Sequence, residues 1–228
     1  MSLSFPRSAC AARLQSGLDE IELVLDENVQ QRLLDYLALL DKWNQAYNLT
    51  AIRQPLEMVD KHLLDSLSLL PHIQAAPLLD VGAGAGLPGL VIAIAKAAPS
   101  PQPSPAGGEG AFSVTLVDAV AKKVQFMQHV IRTLELDHAR AVHDRVENLS
   151  GHYPQITSRA FASLSDFVRL TRPLLAPGGH WLAMKGQIPQ DEIDALPAWA
   201  EVCATLECRV PSALGARHLI LLTDKETP

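Results

Sequence analysis

Residues 78–96 of the chain read LLDVGAGAGLPGLVIAIAK. This stretch has a short apolar run, an acidic residue, four glycines within eight positions and a second apolar run. That order predicts a β-strand, a tight turn and an α-helix. Glycine suits such a turn because it adopts positive φ angles and lets the backbone approach a ligand closely. Pro88 fits the first turn of the helix, where its missing N–H would have no partner.

Two classes of ligand compete for this turn. Residues 84–89 satisfy the pattern G-x-G-x-x-G, which is typical of dinucleotide-dependent oxidoreductases. The glycine series nevertheless starts at Gly82, directly after the apolar run, and Asp80 precedes it. This is the E/D-x-G-x-G-x-G arrangement of S-adenosylmethionine-dependent methyltransferases. We therefore favour S-adenosyl-L-methionine as the cofactor and keep the dinucleotide as the alternative.

Length and composition indicate one α/β domain with an N-terminal extension. The chain has 228 residues, of which 48% are hydrophobic, and no apolar run is long enough to span a membrane. Its three cysteines, Cys10, Cys203 and Cys208, match neither a disulfide framework nor a common zinc pattern. We therefore expect a cytoplasmic protein without a bound metal. We also expect residues 1–18 to be poorly ordered.

The net charge of −6 argues against a protein that binds nucleic acid through an overall positive field. A local basic cleft on an acidic body remains compatible with this value, because charges act within a Debye length of about 8 Å at physiological salt. Composition alone favours a small-molecule substrate.

Hydrophobic periodicity predicts helices over residues 28–45 and 55–70, ahead of the glycine turn. Along the second helix, His62, Asp65 and Ser66 share one face, which we expect to be solvated. Strands alternating with helices follow the turn and predict a mostly parallel sheet. These strands are expected at residues 113–118, 139–143, 158–164 and 180–184. Two further strands, near residues 209–212 and 217–223, suggest an antiparallel hairpin that closes the sheet.

Residues 98–110 contain four prolines and three glycines. Such a composition cannot form the interior of a helix or strand, so we expect a flexible surface insertion at about 99–111. We assign residues 1–74 to an N-terminal tail and helical extension, and residues 75–228 to the sheet-containing domain.

Polar residues and glycines cluster where the predicted parallel strands end. Ligands of open parallel sheets bind at the carboxyl ends of strands. The residues at these ends are Gly82, Asp118, 144–147, 159–163 and Lys185. Asp118 fits the acid that accepts hydrogen bonds from ribose hydroxyls, once the insertion is discounted from its spacing to the glycines. An ordinary helix N-cap is the alternative role for Asp118.

Six motifs occur in an order that resembles one known family. They are W43-N-x-x-Y-N-L-T50, H62-x-L-D-S66, D80-V-G-A-G-A-G-L-P-G89, S158-R-A-F-A-S-L164, M184-K-G-Q187 and R217-H-L219. The chain thereby resembles the glucose-inhibited division protein B (RsmG-type) family, bacterial methyltransferases of guanine N7 in small-subunit (16S) ribosomal RNA. The resemblance covers about residues 28–222, and the insertion departs from the pattern. It implies a class I Rossmann-like methyltransferase fold with a seven-stranded sheet.

The resemblance also implies roles for individual residues. The cofactor would contact the glycine turn, the second and third strand ends, and the arginine after the fourth strand. The residues concerned are Gly82, Gly84, Leu87, Asp118, Ala119, Val120, Val146, Glu147 and Arg159. The candidates for contacting RNA are Lys185, Arg217, His218 and His62.

Guanine N7 carries a free lone pair, so its methylation requires no catalytic base, and we assign none. Catalysis then rests on alignment, which is worth about 7–11 kcal/mol. The expected partner is small-subunit ribosomal RNA or the assembled small subunit, bound by a monomer. The alternatives are an oxidoreductase and a ribosome-assembly protein that binds the cofactor without turnover.

Overall fold

The computed structural model describes residues 5–97, 112–159, 161, 163–211 and 214–226. A seven-stranded sheet with the order β3-β2-β1-β4-β5-β7-β6 organises them. The strands are β1 Leu78–Val81, β2 Val114–Asp118, β3 Ala139–His143, β4 Tyr153–Ser158, β5 Leu175–Lys185, β6 Ala200–Glu207 and β7 His218–Asp224. Strands β1 to β5 pair in parallel, whereas β7 pairs antiparallel with β5 and β6. The predicted fold class is confirmed.

Helices flank the sheet on both faces and precede it. The α-helices are α1 Arg7–Glu20, α2 Glu27–Tyr47, α3 Pro55–Met58, α4 Asp65–Leu67, α5 Gly89–Lys96, α6 Ala121–Thr133, α7 Leu164–Thr171 and α8 Gln190–Asp194. A π-helical turn, Val59–Leu64, joins α3 to α4. The 3-10 turns are Leu70–His72, Val146–Asn148 and Arg172–Leu174. None of the helices in the described ranges is long and apolar enough to cross a membrane.

The fourth strand lies earlier than predicted. It ends at Ser158, where the expected strand over 158–164 begins. Two polar residues of this strand, Gln155 and Thr157, are paired inside the protein, and their polarity hides the strand in the sequence. Gln155 accepts hydrogen bonds from the N–H groups of Gln74 and Ala75, and the hydroxyl of Thr157 donates to the carbonyl of Leu182.

The later strands also differ from the prediction in their boundaries. Strand β5 starts at Leu175 rather than at residue 180, and its register with β4 shifts after Leu175. Residues 176–179 form an irregularity within the strand. The antiparallel hairpin is present, but its first strand is Ala200–Glu207 instead of a segment near 209–212.

Helix α1 contradicts the expectation of a poorly ordered start for the residues that the structure describes. It buries Cys10, Leu14 and Leu18, which follow one another at intervals of four residues. Two ion pairs fix it, Arg7 to Asp35 at 2.6 Å and Arg13 to Asp60 at 2.7 Å. The apolar stripe is short and separated by polar residues, so its periodicity is weak in the sequence.

Two core clusters fill the two faces of the sheet. One combines side chains of α1, α2, α5 and α6 with inward residues such as Leu78, Leu116 and Leu182. The other packs Phe167 of α7 against residues such as Val117 and Trp181. The N-terminal helices thus share a core with the sheet, and this packing brings residues 50–65 to the carboxyl ends of its strands. The predicted insertion at 99–111 lies outside the described residues.

Candidate active site

The glycine turn follows β1 directly, as predicted, and leads into α5. Gly82 and Gly84 adopt positive φ angles of 67° and 60°. A β-carbon at Gly82 would meet no heavy atom of the described residues within 4 Å, and one at Gly84 would meet only the Gly82 carbonyl oxygen, at 3.9 Å. The backbone is therefore open at these two positions, which allows a ligand to approach it closely.

Asp80 holds the glycine turn from beneath. Its side chain is fully buried in β1, and Oδ2 accepts a hydrogen bond of 2.8 Å from the N–H of Gly89, the first residue of α5. The acid of the motif thus stabilises the helix N-terminus. Burial raises the pKa of the Asp80 carboxyl to about 7, and the hydrogen bond from Gly89 opposes that rise.

Asp118 connects the first two strand ends. One of its carboxylate oxygens accepts from the N–H of Gly84 and the other from the N–H of Val120, each at 2.8 Å. Lys123 lies 3.8 Å from the same carboxylate. Asp118 thus lies at the end of β2, as expected, but it is not the N-cap of α6, since that position is Val120 and no side chain caps this helix start. Ala119 and Val120 are exposed beside it.

The remaining cofactor candidates surround this edge of the sheet. Leu87, in the glycine turn, is buried, with 4% of its surface exposed. Val146 and Glu147 begin the 3-10 turn after β3, where Val146 packs into the core and Glu147 faces outward. Arg159 directly follows β4.

An open cleft of about 450 Å³ lies where β4 and β5 end and β7 begins. It is lined by Thr50, Ile52, Lys61, His62, Asp65, Arg159, Met184, Lys185, Gly186 and Arg217. The cleft brings together Arg159, Lys185, Arg217 and His62, which are far apart in sequence. The fourth candidate for RNA contact, His218, is half-buried at the start of β7, with Nδ1 3.3 Å from the Gly186 carbonyl oxygen.

The two arginines of the cleft share a carboxylate that the predicted site residues did not include. Asp65 Oδ1 accepts from Arg217 Nε at 2.9 Å, and Oδ2 accepts from Arg159 Nη1 at 3.3 Å. The expectation that this face of the helical segment is solvated is therefore wrong, because His62, Asp65 and Ser66 are all buried. The only sequence signal was the spacing of His62 and Asp65 in the motif.

Lys185 is held in a similar way. Its ammonium group lies 2.9 and 2.8 Å from the two carboxylate oxygens of Glu192 in α8. Glu192 also accepts a hydrogen bond of 2.7 Å from the N–H of Leu164, the first residue of α7. One carboxylate thus orients the lysine and satisfies a helix N-terminus.

His62 contributes no positive charge to the cleft at neutral pH. Its side chain is 3% exposed, and Nε2 lies 3.0 Å from the hydroxyl oxygen of Thr50. Burial, together with the nearby charge of Arg159, lowers the pKa of His62 to about 4. The buried side chain of Asn44 fixes the loop that carries Thr50, because it accepts from the Thr50 N–H and donates to the Ile52 carbonyl.

The charge of the cleft differs in sign from that of the chain. Lys61, Arg159, Lys185 and Arg217 line it, and Asp65 is the acid among its lining residues. A chain of net charge −6 thus carries a local positive cleft, and such a cleft can bind a polyanionic ligand.

The sheet order, the open glycine turn after β1 and the acid at the end of β2 define a Rossmann-like S-adenosylmethionine-dependent methyltransferase. The fold is similar to a ribosomal protein L11 methylase from Lactobacillus delbrueckii subsp. bulgaricus, with a TM-score of 0.52 and 14% identity over 71% of this chain and 77% of that chain. It is also similar to an S-adenosylmethionine-dependent methyltransferase from Aquifex aeolicus, with a TM-score of 0.50, 14% identity and coverage of 70% and 89%.

The chain belongs to the GidB family, described as rRNA small subunit methyltransferase G, which matches residues 29–220. A relative named ribosomal RNA small subunit methyltransferase G from Chromohalobacter salexigens is 46% identical over 94% of this chain and 97% of its own length. One of the same name from Leptothrix cholodnii is 48% identical over 93% and 94%. The family predicted from the six motifs is confirmed.

Proposed function

We propose that this protein transfers a methyl group from S-adenosyl-L-methionine to N7 of a guanine in small-subunit (16S) ribosomal RNA. The observation that carries the proposal is the family match over residues 29–220. The positive cleft supports it, because RNA phosphates require cationic partners that the overall composition does not supply.

The cofactor would lie along the edge formed by the ends of β1 to β4. The open backbone at Gly82 and Gly84 fits close approach of a ligand, with Leu87 beside it. We assign Asp118, Ala119 and Val120 to the ribose and adjoining adenosine, and Val146 and Glu147 to the adenine. Arg159 would reach the methionine end or the incoming guanine. The placement of these residues at neighbouring strand ends supports the assignment.

The RNA would enter through the cleft. Lys185 and Arg217 would contact phosphates or the O6 edge of the base, and His218 would lie beside them at the start of β7. His62 would act as a neutral wall of the cleft, since its lowered pKa leaves it uncharged at neutral pH. The N7 edge of guanine faces the narrow major groove of A-form RNA, so the target must be in a loop or flipped out.

The reaction needs no proton removed before attack, because N7 has a free lone pair. When bound, S-adenosyl-L-methionine supplies an electrophilic methyl group on a sulfonium centre. The chain's own contribution is then to hold the base and to exclude other orientations, an effect that is worth about 7–11 kcal/mol at best. The paired and oriented charges of Arg159, Lys185 and Arg217 suit that task.

We propose further that the protein acts as a cytoplasmic monomer, with residues 1–74 as an extension and 75–228 as the catalytic domain. The first strand of the sheet, starting at Leu78, supports this boundary. The shared core indicates that the extension and the domain fold together.

Transfer of tritiated methyl groups from S-adenosyl-L-methionine to unmodified small ribosomal subunits tests the function, followed by nucleoside analysis of the RNA. We expect 7-methylguanosine as the product. Cofactor binding without incorporation would favour the non-catalytic assembly protein. Binding of NADH in place of S-adenosyl-L-methionine would favour the oxidoreductase, which the family match speaks against.

A further inference from the structure

Asp65 stands at the junction of three segments of the chain. It begins α4, in the N-terminal extension, and its side chain is 8% exposed. Its partners lie 94 and 152 residues further along: Arg159 follows β4, and Arg217 precedes β7. Each guanidinium takes one oxygen of the same carboxylate.

The arginines remain available to a ligand while Asp65 holds them. Their side chains are 23% and 28% exposed. Arg159 uses Nη1 for Asp65 and for the Lys61 carbonyl, and Arg217 uses Nε and Nη1 for Asp65 and two neighbouring carbonyls. Toward the residues that the structure describes, Nη2 of each arginine makes no hydrogen bond. Two guanidiniums and one carboxylate leave a net positive charge facing the cleft.

We propose that Asp65 is a positioning residue for methyl transfer, which fixes Arg159 and Arg217 in one geometry for the RNA target. The inference rests on the proposed RNA function of the cleft. Two guanidiniums close together repel each other, and the shared carboxylate offsets that repulsion and sets the direction of both side chains. Without it, the arginines must be reoriented each time the RNA binds, which lowers the rate of the aligned step.

The test compares Asp65→Asn with Asp60→Asn. Asparagine keeps the shape of Asp65 and removes its charge. Asp60 lies in the same helical segment and accepts from Arg13 at 2.7 Å, but it does not line the cleft. We expect Asp65→Asn to lower kcat on small ribosomal subunits by roughly 10- to 100-fold, and Asp60→Asn to leave it within about twofold. Melting temperatures of both variants measure the purely structural loss.

A double-mutant cycle separates positioning from stability. If Asp65 acts through Arg217, Asp65→Asn costs much less turnover in an Arg217→Lys background than in the wild type. Full kcat in Asp65→Asn, or a loss matched by Asp60→Asn at equal melting temperature, overturns the proposal. If Asp65→Asn does not fold, Asp65→Glu decides: it keeps the charge but displaces the oxygens, so unchanged kcat overturns positioning and reduced kcat supports it. Failure of the wild type to methylate would instead overturn the proposed function.

Discussion

At the scale of single residues, Gly82 and Gly84 of the glycine turn share a positive φ and open surroundings with Gly178, a glycine outside the candidate site. Gly84 has a φ of 60° and faces open space, and Gly178 has a φ of 68° in the irregular part of β5 and is also open. Both positions would strain a branched side chain, by about 1–3 kcal/mol. Of Gly84 and Gly178, only Gly84 belongs to the proposed cofactor site.

We therefore expect Gly84→Val to weaken binding of S-adenosyl-L-methionine by about tenfold or more, because restoring the turn for the ligand costs more than about 1.4 kcal/mol. Gly178→Val should bind the cofactor normally despite similar backbone strain. Isothermal titration calorimetry measures both. Normal affinity in Gly84→Val would remove the glycine turn from the cofactor site.

His62 predicts a pH dependence of stability. Its folded pKa is about 4, and the unfolded value is about 6.5. Between these values the unfolded chain takes up a proton that the folded protein does not, so the free energy of unfolding falls as the pH falls. The loss over this window is about 3 kcal/mol. In His62→Gln that part of the acid sensitivity should be absent.

Denaturant unfolding of wild type and His62→Gln at pH 4 and pH 7 measures the effect. Other groups that titrate in this range, including Asp80, contribute equally to the stability of both proteins, so their contributions cancel in the difference. The stability of the wild type relative to the variant should be greater at pH 7 than at pH 4. If the difference in unfolding free energy between wild type and His62→Gln did not change with pH, His62 would titrate normally in the folded protein.

At the scale of elements, helix α2 is docked onto the glycine turn. The buried hydroxyl of Tyr36 donates a hydrogen bond of 2.9 Å to the carbonyl of Ala85. Tyr36→Phe leaves that carbonyl without its partner and should cost about 1–3 kcal/mol of stability. Because the bond restrains the turn itself, we also expect weaker binding of S-adenosyl-L-methionine, by a few-fold.

Tyr153→Phe is the matched control for this helix contact. The Tyr153 hydroxyl accepts from Arg140 at 3.2 Å on β3, and it does not touch the glycine turn. Thermal unfolding should show a loss in both variants, whereas calorimetry should show weaker cofactor binding in Tyr36→Phe alone. Equal affinity in the two would mean that α2 supports the fold without restraining the turn.

The elements that sequence patterns predicted well are those whose burial follows hydrophobicity. Strand β1 and helix α5 were placed correctly, and they are apolar except for the buried Asp80 and the exposed Lys96. Strand β4 was misplaced because Gln155 and Thr157 are buried through hydrogen bonds rather than through apolarity. Periodicity cannot recognise a polar side chain whose partner is supplied by another segment.

The candidate site shows the same division. Arg159, Lys185 and Arg217 were predicted from motifs and strand ends. Lys61 and the acidic partners Asp65 and Glu192 were not. Asp65 lies 94 and 152 residues from its arginines, so no local pattern carries the contact. These acidic partners can be identified only when the fold is known, because the packing of other segments against the strand ends brings them to the cations.

At the scale of the whole molecule, an acidic chain is expected to bind RNA through a small positive area. Each phosphate contact on single-stranded RNA contributes about 0.7 to the slope of log K against log salt concentration. With only a few cations in the cleft, we expect a shallow slope. Lys185→Ala should reduce this slope by about 0.7, the contribution of one phosphate contact. It should also lower turnover on small ribosomal subunits, while the affinity for the cofactor remains unchanged.

Arg217→Ala should behave in the same way, with an added loss of stability because Asp65 keeps only one arginine partner. Arg7→Ala serves as the control, since Arg7 is an exposed cation that pairs with Asp35 on α2 and does not line the cleft. Filter binding across a salt series and methyl transfer under single-turnover conditions measure the two effects. A slope and turnover unchanged in Lys185→Ala and Arg217→Ala would place the RNA surface elsewhere, toward the loop that carries Asn48.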